Sequence, residues 1–323
     1  MRILAVDDDP IILELLAQFV DAVGDHDLTT APSAMAALEL IESGQDGPFD
    51  CFLFDIQMPG MDGIELTRRL RDTARHADTP VLMLTAMAEK RYIDNAFAAG
   101  ATDYVTKPFE VTELKARLHT AETLIAARKA RTRKIFATQT VSEGVNHIEV
   151  YEPISVYDVE NVIDYTAMEN YVAQLSRQSL FGSTAFAFTI RQTADYHAGL
   201  SAFEFFSMIS DVAEVISDTL TGHQFLMSYA GSGTFMCITE SGWRPDMKAL
   251  MDAINLSLAR TELYNNDGQR LQPRVCAGNA VRLVWKNGDT VMEAIAAAHA
   301  SAEEACDLFA KTQNNYWDLG QTA

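Results

Sequence analysis

Basic residues are scarce in this chain. Lys and Arg number 25 against 45 Asp and Glu, a net charge of -20 over 323 residues. Phosphate backbones demand basic surface, so this balance argues against a nucleic-acid partner. Cysteine is scarce as well. Cys51, Cys237, Cys276 and Cys306 are scattered and lack metal-ligand spacing. They read as reduced, mostly buried thiols of a cytoplasmic protein. No apolar run is long enough to cross a bilayer, so no membrane insertion is expected. Met1-Arg2-Ile3-Leu4 enters a strand directly, and no secretory signal is expected ahead of it.

The remainder is ordinary for globular protein: 48% hydrophobic and 22% charged, with length for two cores. The charge is uneven. Residues 1–120 sum to -11 and residues 136–323 to -13. Residues 121–135 sum to +4, from Arg128, Lys129, Arg131, Arg133 and Lys134 against Glu122. A basic helical joint between two acidic bodies marks a domain boundary better than any Gly or Pro run here. The expected division is a first domain at 1–120, a helical extension and linker at 121–153, and a second domain at 154–323.

The first domain is organised around Cys51 to Gly63. The apolar run Cys51-Phe52-Leu53-Phe54 ends in Asp55, and Pro59-Gly60 follows. This reads as a buried parallel strand delivering Asp55 to the carboxyl edge of a sheet, where ligands sit in open α/β folds. The plainer alternative has Asp55 capping the next helix. Other strands are expected at Ile3–Val6, Leu28–Ala31, Val81–Leu84 and Asp103–Val105. Helices are expected from Pro10 with a stripe through Leu16 and Phe19, over Ser33–Ile41, and up to Gly100. Strands alternating with helices imply a doubly wound, five-stranded parallel sheet. Its strand ends carry Asp7 and Asp8, Asp55, Thr85 and Lys107.

Clustered carboxylates repel unless a cation sits among them. Three acids and a loop carbonyl suit a hard divalent ion, with Mg²⁺ usual in phosphoryl chemistry. A carboxylate beside that ion is a competent nucleophile toward phosphorus. Lys107 would offer a point charge to phosphoryl oxygens and Thr85 a hydroxyl. The alternative leaves these groups as surface polar ends that never converge.

Val6-Asp7-Asp8-Asp9-Pro10, Phe54-Asp55-Ile56-Gln57-Met58-Pro59-Gly60-Met61-Asp62-Gly63, Leu84-Thr85-Ala86 and Asp103-Tyr104-Val105-Thr106-Lys107-Pro108-Phe109 together resemble the receiver domain of two-component response regulators. The resemblance implies a flavodoxin-like fold with Asp55 as phosphoacceptor. It implies that Asp8, Asp55 and the backbone carbonyl of Gln57 bind Mg²⁺, with Asp7 acting through water. Thr85 and Tyr104 match the family's switch pair, Tyr104 being half-buried at rest. Gln57 and Met87 occupy positions that tune dephosphorylation, and Lys107-Pro108 is a candidate cis peptide. A sensor histidine kinase or phosphotransfer protein is the implied partner.

The fifth helix is expected from Val111 through Lys134. Leu114, Leu118, Ala121 and Ile125 share one face until Arg128 interrupts it. That stripe is read as a short seam between protomers of a homodimer, or as packing on the helix's own sheet. Residues 136–150 show no period and read as linker.

The second domain has an amphipathic helix within Ile154–Leu180, a strand at Ala185–Ile190 and a helix at Phe203–Leu220. A hairpin Phe225–Tyr229/Phe235–Ile238 surrounds Ala230-Gly231-Ser232-Gly233-Thr234. A helix at Met247–Leu263, a strand from Arg274 extended by Val281–Trp285, and a helix at Thr290–Phe309 complete it. This α/β order, with a mainly antiparallel sheet, resembles a GGDEF domain, the module of diguanylate cyclases, over residues 155–317. Gly231-Ser232-Gly233-Thr234-Phe235 occupies the signature hairpin. The resemblance implies two acids where Gly233 and Thr234 stand, and a metal-binding Asp where Thr189-Ile190-Arg191-Gln192 has none. The product-binding Arg-x-x-Asp is replaced by Gly222-His223-Gln224-Phe225. Two-metal phosphoryl transfer needs those carboxylates. The expectation is therefore a catalytically inactive domain, signalling through an unidentified protein partner or its own copy. A divergent nucleotide-binding or cyclase-type enzyme and a phosphorelay or phosphate-sink component remain alternatives. A different metal site from Asp195, Glu204 or Asp211 is weighed against a solvated helix face.

Overall fold

The computed structural model describes residues 1–44, 47–73, 75–86, 90–139, 149–156, 159–175, 182–283 and 288–320. It divides into two units, Met1–Gly144 and Val145–Ala323.

In the first unit, strands β1 (Arg2–Val6), β2 (Asp27–Ala31), β3 (Cys51–Asp55), β4 (Val81–Thr85) and β5 (Asp103–Thr106) form one parallel sheet in the order β2-β1-β3-β4-β5. Helices α1 (Pro10–Val23), α2 (Ala34–Ser43), α3 (Gly63–Arg71), α4 (Lys90–Ala98) and α5 (Val111–Gln139) connect and flank it. The central strands β3 and β4 read as continuous apolar runs because both faces are covered, and they are buried at every position. The helix starts are encoded locally. Asp9, Ser33 and Asp62 each accept a backbone N–H in the first turn of α1, α2 and α3. Asp62, not Asp55, therefore caps the helix after β3, which removes the plainer account of Asp55.

The stripe on α5 has a local explanation. Leu114, Leu118 and Ala121 are buried in the unit's own core with Leu16, Val20 and Val105. Ile125 is half-buried. The side chain of Arg128 lies outside the described residues. Phe136–Gln139 belong to α5 rather than to an aperiodic linker, because the helix runs on to Gln139.

In the second unit, β6 (Thr184–Ile190), β7 (Phe225–Tyr229), β8 (Thr234–Thr239) and β11 (Val275–Ala277) form an antiparallel sheet in the order β11-β6-β8-β7. A short β12 (Val281–Arg282) also pairs with β6. The expected single strand from Arg274 is thus two pieces. Gly278 to Ala280 interrupt it, and Ser301 Oγ takes the Asn279 N–H. A separate ribbon joins β9 (Leu263–Tyr264) to β10 (Arg270–Leu271), so the helix expected through Leu263 ends earlier.

Among the described residues the unit also has five helices: α6 (Tyr165–Gln174), α7 (Thr193–Gly199), α8 (Ala202–Leu220), α9 (Met247–Arg260) and α10 (Gly288–Gly320). Alternation along β6 sorts the two faces. Phe186, Phe188 and Ile190 join a core with Phe205, Ile209 and Val212 of α8 and Ile254 and Leu258 of α9. Ala185, Ala187 and Thr189 point the other way, and α10 packs on the sheet there. Small residues on both surfaces allow that close approach. Ala294, Ala298 and Ala302 of α10 are buried, and a Cβ on Gly278 would stand 2.8 Å from Ala302 N. Residues 149–153 belong to this unit rather than to a linker. Val150 O accepts the Ser232 N–H at 2.6 Å, and Ile154 and Val156 enter the core.

Candidate functional site

The polar strand ends of the first unit converge. Register places Val6 beside Phe54, Asp55 beside Leu84, and Thr85 beside Thr106, so the carboxyl ends of β1, β3, β4 and β5 are level. Asp7 follows β1, Asp55 closes β3, Thr85 closes β4 and Lys107 follows β5. All four residues are buried or nearly so, and Asp8 is exposed beside them. Carboxylate oxygens of Asp7, Asp8 and Asp55 lie within 4.8 Å of one another. Among the described residues this is the one such group of three acidic, His or Cys side chains.

Lys107 ties the cluster together. Its Nζ lies 2.6 Å from Asp7 Oδ2 and 2.5 Å from Asp55 Oδ1. Its backbone N–H donates to Thr85 O at 2.6 Å, and the Lys107-Pro108 peptide is cis. Burial pushes the Asp55 carboxyl above its ordinary range, Lys107 draws it back, and the charges of Asp7 and Asp8 add to the rise. Burial disfavours the Lys107 ammonium, but its bonds to Asp55 and Asp7 hold its pKa above the ordinary value. The ammonium is thus a fixed cation between two acids, available to any anion that takes one of their places.

The three carboxylates fit a hard divalent cation. They offer only oxygen donors, and Asp8 faces solvent, where a hydrated ion could enter. Gln57 lies in the loop after β3, with an exposed side chain. A groove beside the cluster is lined by Asp8, Gln57, Asp62, Arg68, Tyr92 and Asn95. Tyr104 is more enclosed than expected: it is 8% exposed, edge-on to Phe97 with ring centroids 6.3 Å apart. Burial, then the charge of Asp103, raises its hydroxyl pKa. Met87 lies outside the described residues.

The packing role of one motif residue was not read from the sequence. A Cβ on Gly63 would stand 2.1 Å from the carbonyl oxygen of Asp55. Only a bare backbone lets α3 begin against the end of β3. The cap was findable, since Asp62 is followed three residues later by Glu65. Gly63 was not, because its necessity is a contact across the turn.

In the second unit the hairpin loop is closed on itself. Gly231, Ser232 and Gly233 all have positive φ, and Phe235 is fully buried. The Ser232 N–H donates to Val150 O, the Gly233 N–H to Tyr229 Oη, and the Thr234 N–H to Gly231 O. A phosphate cradle needs such donors free. Thr234 faces Thr189 across the sheet, Oγ1 to Oγ1 at 2.9 Å, in a buried pair. Asp195, Glu204 and Asp211 do not gather. Glu204 caps α8 in a capping box with Ser201 and takes the Asn266 N–H.

Residues 3–119 match the response regulator receiver domain family. The heme response regulator HssR of Staphylococcus aureus strain JH9 is 43% identical over 119 residues, which cover 36% of this chain and 50% of that protein. The chain thus spans about half the length of the curated relatives it matches. Among solved structures, chemotaxis response regulator CheY4 of Vibrio cholerae is 30% identical, covering 37% of this chain and 97% of that one, with a TM-score of 0.34. The Francisella response regulator 1452 receiver domain is also 30% identical, covering 39% and 98%, with a TM-score of 0.34. The N-terminal unit is a response regulator receiver domain.

Proposed function

We propose that this receiver domain takes a phosphoryl group onto Asp55 from a sensor histidine kinase or a phosphotransfer protein. The observation that carries the proposal is Lys107 Nζ bridging Asp7 and Asp55 at the level strand ends. An Asp55 carboxylate oxygen attacks phosphorus as the bond to the donor nitrogen breaks. Lys107 then turns its charge to a phosphoryl oxygen, and the Thr85 hydroxyl donates to another. Asp7, Asp8, Asp55 and the Gln57 carbonyl would hold Mg²⁺, which neutralises charge on the transferring group when bound. Movement of Thr85 toward the phosphoryl group, coupled to Tyr104, is the proposed route to the rest of the protein.

The second unit is proposed to be a GGDEF-like domain without cyclase activity, signalling by phosphorylation-dependent association with a protein partner. The hydroxyl pair of Thr189 and Thr234 supports this, because it stands where metal-binding carboxylates would be needed. The satisfied donors of Ser232, Gly233 and Thr234 weigh against nucleotide binding at the loop. Self-association through α5 would rest on Ile125 alone among its described stripe residues, since the others are buried in the unit's own core.

Acetyl phosphate with Mg²⁺ is expected to label the full chain, and Asp55→Asn to abolish the label. Label surviving in that variant would place the acceptor elsewhere. GTP with Mg²⁺ or Mn²⁺ is expected to give no dinucleotide; its formation would overturn the inactive assignment. Equal partner capture and equal solution mass for phosphorylated protein and Asp55→Asn would remove phosphorylation control.

A further inference from the structure

Two cysteines 30 residues apart in sequence meet in the second unit. Cys276 sits on the edge strand β11 and Cys306 on α10. Both sulfurs converge on one residue of β6. Cys276 is the register partner of Thr189, and the Cys306 thiol donates to Thr189 O at 3.2 Å. The Cys306 thiol is also within hydrogen-bond reach of the Cys276 sulfur. The helix and strand that carry them are backbone-close at Gly278.

A cation completes the group. Arg191 Nε donates to Cys276 Sγ at 3.2 Å. Its guanidinium lies over the Phe309 ring, 3.7 Å from the centroid, and Phe309 is one turn along α10 from Cys306. Arg191 thus touches both elements and faces the sulfur of one. The Cys306 hydrogen bond and the Arg191 charge hold the Cys276 thiol below its ordinary value, against burial. Cys306 is raised by its neighbour Cys276 and by partial burial. The Arg191 contact therefore sets the two sulfurs apart, with Cys276 as the attacking and Cys306 as the resolving cysteine. The other two cysteines differ. Cys51 is buried with its thiol pushed up to about 12, and Cys237 is buried and raised by desolvation.

We propose that Cys276 and Cys306 form a reversible oxidation site, converted to a disulfide by hydrogen peroxide and restored by dithiol reductants. The Cys276 thiolate attacks one peroxide oxygen. The O–O bond breaks, hydroxide leaves and takes a proton to become water, and a sulfenic acid remains on Cys276. The Cys306 sulfur then attacks the sulfenic sulfur and releases its proton. The S–O bond breaks, and a second water leaves. Two thiols give two electrons and two protons to one peroxide, yielding one disulfide and two waters. The bond ties α10 to the edge of the sheet. Cys306, partly exposed, marks the side from which a small oxidant arrives, since Cys276 is 4% exposed.

The test uses the reduced full chain treated with hydrogen peroxide, followed by intact mass and non-reducing peptide mapping. The expected result is a loss of two hydrogens, with one peptide pair joining Cys276 to Cys306, reversed by dithiothreitol. Cys51 and Cys237 stay free. Cys306→Ser should stop at one added oxygen on Cys276, and Cys276→Ser should leave Cys306 a thiol over the same period. The wild-type oxidation rate should be half-maximal at a pH below that of an ordinary thiol, and Arg191→Gln should move that midpoint upward. Oxidation of Cys51 or Cys237 ahead of Cys276, or no Cys276–Cys306 link in the wild type, overturns the proposal. A midpoint near that of an ordinary thiol in the wild type overturns it as well.

Discussion

Lys107 Nζ lies 2.5 Å from Asp55 Oδ1, with the lysine side chain 16% exposed and the aspartate 7%. The ion pair is drawn from opposite sides of β4, one partner closing β3 and the other following β5. It opposes the rise that burial imposes on the acceptor carboxyl. Lys107 also neutralises Asp7, so its loss would leave two buried acids together.

Lys107→Ala is therefore expected to cost both chemistry and stability. Removing one charge that stabilises the transferring group should slow labelling by acetyl phosphate by about 10²-fold. Stranding Asp7 and Asp55 should destabilise the first unit by about 3 kcal/mol. Labelling kinetics with Mg²⁺ and urea unfolding by circular dichroism read the two effects separately. Asp55→Asn removes the label but should leave stability close to wild type, since it removes one of the crowded acids.

Gly63→Ala tests how tightly the acceptor is held from behind. The added methyl would stand 2.1 Å from Asp55 O, and the obstacle is backbone. The turn must open, taking α3 away from the end of β3. A loss of about 1–3 kcal/mol is expected for this overpacking. Labelling should also slow, because the displaced atom belongs to Asp55 itself. An unchanged urea midpoint together with unchanged labelling would mean the turn yields freely.

Much of this site was legible beforehand. Apolar runs such as Val81–Leu84 and Cys51–Phe54, each ending in a polar residue, reveal a buried parallel strand and the group at its end. The second unit was harder. The break between β11 and β12 depends on Ser301 of a distant helix, and the end of α9 depends on the β9–β10 ribbon. The α5 stripe carried a true period but an ambiguous partner, since a helix face does not say whose core it enters. The thiol pair was invisible because Cys276 and Cys306 have no motif spacing; only the packing of α10 on β11 brings them together.

Asp103 gives the first unit a pH signature. The side chain is 1% exposed, its pKa is pushed up to about 6 by burial, and the Arg117 guanidinium 3.6 Å away only partly opposes the rise. The folded pKa lies above the unfolded one, so the folded state holds the proton more tightly. The associated stability is present in full below about pH 4 and is lost as pH rises through about 6. A shift of this size corresponds to roughly 3 kcal/mol. Asp103→Asn should remove that slope while keeping an acceptor for the Tyr104 N–H. Urea unfolding from pH 4 to pH 7 checks it: the wild-type curve should lose stability relative to the variant across this window. Parallel curves would show that Asp103 titrates alike in both states.

The hairpin loop of the second unit makes the sharpest test of the inactive assignment. If missing acids were the whole cause, Gly233→Asp with Thr234→Glu would restore metal binding. The local geometry argues otherwise. Gly233 has φ +80°, and a Cβ there would meet Thr193 Oγ1 at 2.0 Å. Thr193 is fixed in turn by its hydrogen bond to Ile190 O. A left-handed non-glycine residue costs on the order of 1–3 kcal/mol before any clash. Glu at 234 would put a carboxylate against Thr189 in a fully buried position. The double variant is therefore expected to yield no dinucleotide from GTP and to unfold at lower urea than wild type, by at least about 3 kcal/mol. All three tryptophans, Trp243, Trp285 and Trp317, fall in the second unit, so their fluorescence reports its unfolding directly. A variant that keeps the wild-type midpoint and makes dinucleotide would show that the loop tolerates the acids and that their loss alone silenced the domain.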